Sequence, residues 1–149
     1  MARKIEELPI YARVDSFWRA VNATLDHSNL RRDSDLHDQI SRANDSIPSN
    51  LVEGFEQATD DAFANFLCYS KGSLAEVLKR LRKAYFKRLI TQDQLSGHLK
   101  DGDELGKMLG GFIKYLRESR WKDRGFCWRK EKDSDRGDES DRTIHRFED

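Results

Sequence analysis

An all-α fold, an up-down-up-down four-helix bundle, is the class that this sequence of 149 residues predicts. Apolar residues recur at steps of three and four in four successive segments, and no segment holds the period of two that marks a half-buried strand. Residues able to cap a helix N-terminus stand at the start of the last three segments. The connections are short, which makes neighbouring helices antiparallel.

The first segment steps through Ile10, Val14, Phe17, Val21 and Leu25, with Pro9 near N1, where its missing N–H costs nothing. A loop is expected over 29–33, with Asp33 or Ser34 as the next N-cap. The second segment steps through Leu36, Ile40, Ala43, Ile47, Asn50 and Gly54, widened by Leu51 and Phe55. Pro48 lies inside it, withholds a donor and crowds the Asn44 carbonyl, so a kink is expected there. Two short helices meeting at Pro48 are the alternative.

Thr59, followed by Asp60 and Asp61, caps the third helix with acids at its positive end. Its seam, Phe63, Leu67, Ser70, Leu74, Val77, Leu81 and Ala84, is of coiled-coil type. Thr91 caps the fourth helix, read as Leu95, Leu99, Gly102, Gly106, Leu109, Ile113 and Leu116. Two seam glycines cost ~1 kcal/mol each relative to alanine. The surviving period therefore predicts close approach of a neighbouring backbone there, rather than a helix break near Gly102. Trp18, Phe55, Phe66 and Tyr85 exceed what one narrow seam needs, so faces buried between subunits are expected. The bundle is assigned to residues 1–121. A charged C-terminal tail is assigned to 122–149; residues 131–149 hold eight acids and four bases, so disorder or weak docking is expected.

Lys and Arg number 27, as do Asp and Glu. No apolar run approaches the ~20 residues that span a bilayer, and residues 1–7 lack the apolar core of a secretory signal. A cytoplasmic protein with no membrane partner is expected. Cys68 and Cys127 stand alone, without disulfide-framework or zinc-ligand spacing. His27, His37, His98 and His145 form no ligand pair, and Ser46, Ser70 and Ser73 fall on helices rather than at a nucleophile elbow. No enzymatic activity, cofactor or metal is expected.

Asn50, Ser70 and Ser73 lie on or beside the seams of the second and third helices, where apolar residues would be expected. A buried hydrogen-bonded layer that fixes the register of the two helices is the expected role; a ligand site is the alternative. Glu53, one turn along, either caps this layer or faces a neighbouring subunit.

The run Ser41-Arg42-Ala43-Asn44-Asp45-Ser46-Ile47-Pro48-Ser49-Asn50-Leu51-Val52-Glu53-Gly54-Phe55, followed by Ser70-Lys71-Gly72-Ser73-Leu74-Ala75-Glu76, resembles the bacterial four-helix-bundle family found as open reading frames in 23S rRNA intervening sequences. The family pattern falls on Arg42, Ala43, Ser46, Ile47, Asn50, Glu53, Gly54, Gly72, Ser73 and Glu76. Lys107-Met108-Leu109-Gly110-Gly111-Phe112-Ile113-Lys114 is similar to its fourth helix. The resemblance spans roughly residues 5–120. It implies a homopentamer of short bundles without enzymatic activity. The accessory protein of diversity-generating retroelements is similar in fold and assembly, which implies a reverse transcriptase and RNA or DNA as partners. The zero net charge departs from that relative.

Charge is uneven along the chain. Residues 31–61 carry three bases against eight acids, and residues 71–92 carry seven bases against one. With Leu81 facing the core, 100° per residue sets Lys79, Arg80, Lys83 and Lys87 on the solvent side, with Arg82 and Arg88 on the flanks. Glu76 and Arg80 are spaced for an i, i+4 pair. This stripe is the first candidate surface for nucleic acid. The second is 117–130, where Arg117, Arg120, Lys122 and Arg124 interleave with Trp121, Phe126 and Trp128, a composition suited to single strands; a clip folded back on the bundle is the alternative. A protein-only scaffold, with the acidic second helix of one protomer facing the basic third helix of the next, is the other function class.

Overall fold

The computed structural model describes residues 4–118. Among them stand four helices, α1 (Pro9–His27), α2 (Ser34–Phe55), α3 (Asp60–Phe86) and α4 (Gln92–Arg117), and no strand. The boundary expected at 121 lies outside these residues. Short 3-10 turns at Ile5–Glu7 and Asn29–Arg32 complete the elements. The second stands where a loop was expected: the Ser28 hydroxyl accepts the Leu30 N–H at 3.2 Å, and the Leu30 side chain is fully buried.

Each of α2, α3 and α4 begins where a side-chain oxygen relieves an orphan N–H. Asp33 accepts from Leu36, Thr59 from Ala62 and Thr91 from Gln94, each at 3.1 Å. The Gln94 side chain returns a bond to the Thr91 N–H at 2.9 Å, closing a capping box. Pro9 occupies N1 of α1.

The helices close a ring in which α2 packs on α3, α3 on α4, and α1 on both α2 and α4. A single core runs along the axis, from Ile10, Val14 and Val21 through Ile40, Ile47 and Leu51 to Phe63, Leu67, Leu81 and Leu109. α2 passes unbroken through Pro48. Ile47 and Leu51 are fully buried on either side, so one continuous apolar stripe holds the helix together, and the two-helix alternative does not hold.

Three expectations about the core are corrected. The α4 seam runs through His98, Gly102, Leu105, Leu109, Ile113 and Leu116, whereas Leu95, Leu99 and Gly106 are only half-buried. What approaches Gly102 is the Leu78 side chain rather than a backbone: a Cβ there would stand 2.6 Å from Leu78 Cδ2. Phe55 belongs to the core of its own chain, edge-on to Phe63 with centroids 6.2 Å apart. Trp18 is half-buried, and its indole N–H donates to Asp45 at 2.8 Å.

α3 ends in a Schellman motif. The Arg88 N–H bonds the Tyr85 carbonyl at 2.8 Å, and the Leu89 N–H bonds the Ala84 carbonyl at 2.9 Å. Glycine usually takes the left-handed position of this motif; here it is Arg88, with φ 61°.

Candidate nucleic-acid interface

The polar residues between α2 and α3 form the layer their spacing predicts. The Ser70 hydroxyl donates to the Ile47 carbonyl at 2.8 Å, and the Ser73 hydroxyl to the Ser46 hydroxyl at 2.9 Å. Asn50 Nδ2 donates to the carbonyl and hydroxyl of Ser46 at 2.8 and 2.9 Å. Every bond falls inside one pair of helices, so the layer sets their register. It closes without Glu53, whose side chain is exposed.

The other patterned residues divide by packing. Gly54 lets α3 approach: a Cβ would lie 2.8 Å from both Phe63 Cδ1 and Phe66 Cβ. Glu76 accepts from Arg80 Nη2 at 2.7 Å, the i, i+4 pair expected. Arg42 and Gly72 are exposed, and open space surrounds the place where a Gly72 Cβ would stand.

On α3 the basic residues separate into two groups. Arg80 is not on the solvent side. It lies on the flank facing α2, half-buried, bonded to Glu76 and, at 2.5 Å, to Gln39 Oε1. The Lys87 ammonium donates to Asp33 at the start of α2. That donation, with the Leu36 N–H, holds the Asp33 carboxyl below its ordinary range. Both residues therefore fasten α3 to α2 of the same chain, Lys87 through a carboxylate and Arg80 through the neutral Gln39 amide.

Lys79, Arg82, Lys83 and Arg88 are exposed, and among the described residues none of them pairs with a carboxylate. Lys79 and Lys83 face directly away from the core; Arg82 flanks them toward α4. Phe86, which the sequence reading passed over, completes their row. It stands seven residues from Lys79, four from Arg82 and three from Lys83, and is 87% exposed. That i, i+3, i+4, i+7 spacing was the available signal.

N-terminal to this face along α3, an open groove of about 530 Å³ runs between α3 and α4, lined by Gly102, Gly106 and Gly110 and by the charged Lys71, Asp103 and Lys107. Arg117 ties the end of α4 to α3, donating to Asn65 Oδ1 at 3.2 Å and Cys68 Sγ at 3.5 Å. Arg120, Trp121, Lys122 and Arg124 lie outside the described residues.

Among the described residues no cluster of three His, Cys, Asp or Glu could hold a metal, and no helix is long and apolar enough to cross a membrane. The buried His98 serves packing, with Nε2 2.7 Å from the Thr24 hydroxyl and its ring edge-on to Phe17.

Comparison with curated proteins gives no match. Among solved structures, the chain is similar to a Bacteroides thetaiotaomicron protein described as of unknown function from the S23 ribosomal protein family. The identity is 24%, with TM-score 0.62, over 70% of this chain and 98% of that one. At that identity the likeness carries the fold alone. A family model matches residues 6–111, from the turn before α1 to the last turns of α4. That span includes the patterned residues of α2 and α3, and the chain belongs to the family of 23S rRNA-intervening sequence proteins.

Proposed function

We propose that this protein is a non-catalytic, oligomeric accessory factor that binds RNA or DNA through the outer face of α3. The observation that carries the reading is the sorting of the α3 bases. Arg80 and Lys87 are engaged by α2, whereas Lys79, Arg82, Lys83 and Arg88 project from the bundle without a carboxylate partner among the described residues. Phosphates are bound in this way by clustered exposed Lys and Arg, whose condensed counterions are released on contact.

A ring of five copies repeats the face five times and extends the positive surface. Likeness to the accessory protein of diversity-generating retroelements is the reason to name a homopentamer as the assembly and a reverse transcriptase, or an RNA element, as the setting. Arg120, Trp121, Lys122 and Arg124 extend the same composition beyond α4.

Reversing Lys79, Arg82 and Lys83 to Glu tests the reading, since all three side chains are exposed and, among the described residues, none of them forms an ion pair. Helicity stays unchanged while retention on heparin and on RNA is lost. Unchanged retention rejects this face. Light scattering at micromolar concentration tests the assembly: a mass of about five protomers is expected, and a monomer rejects it.

A further inference from the structure

Phe86 is the most exposed large apolar side chain among the described residues, on a face otherwise built of charge. Its neighbours on the helix are Lys79, Arg82 and Lys83, and Arg88 follows two residues on. The core does not use it: Ala84 and Ile90 are buried on either side of the turn, and Phe86 points away from both. Tyr85, 40% exposed, stands beside it. A ring ringed by cations is poorly suited to a second apolar surface, because covering the ring desolvates the charges around it. It suits a polyanion that also carries aromatic faces.

We infer that Phe86 is a stacking platform for an unpaired base, so that the α3 face selects single-stranded over duplex nucleic acid. The inference rests on the nucleic-acid reading above and adds its substrate class. In a duplex the base faces are already stacked and only the phosphates are offered to Lys79, Arg82 and Lys83. In a single strand a base can turn onto the ring while its flanking phosphates meet bases one and two turns back along α3. Those turns span about 10 Å from Lys79 to Phe86 at ~1.5 Å per residue. The Lys87–Asp33 pair anchors this end of α3 to the start of α2, so the platform stands on a fixed helix terminus.

The test uses the full chain and fluorescence anisotropy with a labelled 20-nucleotide RNA of mixed sequence, alone and annealed to its complement, at low salt. The single strand binds more tightly than the duplex. Phe86→Ala weakens single-strand binding by about tenfold, leaves duplex binding unchanged and keeps the circular dichroism spectrum; Phe86→Trp restores the affinity. If the wild-type chain binds both forms equally and Phe86→Ala changes neither, while K79E/R82E/K83E abolishes both, the stacking role falls and the phosphate-binding face stands. If the wild-type chain binds neither, both fall. If Phe86→Ala lowers the light-scattering mass without touching nucleic-acid affinity, the ring belongs to an interface between copies, and the inference is overturned.

Discussion

The Thr24 hydroxyl and His98 Nε2 meet at 2.7 Å inside the bundle, a buried polar link between α1 and α4. Burial holds the imidazole below its usual value of 6.5, outweighing the opposing pull of Asp101. The unfolded chain therefore takes up a proton more readily than the folded one, and stability present above about pH 6.5 is lost as the pH falls below it. His98→Gln keeps a partner for Thr24 without titrating, and should flatten the decline between pH 7.5 and 5.5. Thermal melts across that window check this; parallel declines in the two proteins reject it.

Ser70 makes the most buried bond of the α2–α3 layer. Ser70→Ala removes it while leaving the Ile47 carbonyl its helical partner, so about 1 kcal/mol of stability should be lost. Urea denaturation should show a lower midpoint at an unchanged slope.

Two helical glycines, Gly72 inside α3 and Gly54 in the last turn of α2, should respond oppositely to alanine. At Gly72 the new methyl meets open space, and stability should rise by about 0.5–1 kcal/mol through helix propensity. At Gly54 it meets the Phe63 ring and the Phe66 Cβ at 2.8 Å. The propensity gain is overridden there, with a net loss of about 1–3 kcal/mol. The same denaturation series measures both.

Arg88 holds a left-handed conformation that glycine adopts without strain. Arg88→Gly should therefore stabilise the fold, by about 0.5–1 kcal/mol, while weakening retention on heparin. A variant both more stable and equally retained would remove Arg88 from the binding face.

Much of this architecture is legible in the residues themselves. The run from Phe63 to Ala84 names the α3 seam, and the spacing of Asn50, Ser70 and Ser73 announces a bonded layer, because each is fixed within one helix or one adjoining pair. What the sequence conceals depends on partners distant along the chain. His98 reads as polar and hides its core position because Thr24 lies 74 residues away. Arg80 and Lys87 read as solvent bases because Gln39 and Asp33 lie 41 and 54 residues away. Phe86 differs: its spacing from Lys79, Arg82 and Lys83 already sets it on the outer side of α3, and the packed bundle leaves it 87% exposed there.

The measurement that bears most directly on the α3 face is the salt dependence of single-stranded RNA affinity in the wild-type chain and in the neutralised variant K79Q/R82Q/K83Q. Log affinity should fall linearly with log salt, and the three neutralised residues should account for a slope of about −2, given ~0.7 per single-strand phosphate contact. Equal slopes in the two proteins, or no RNA binding by the wild-type chain at low salt, would contradict the assignment.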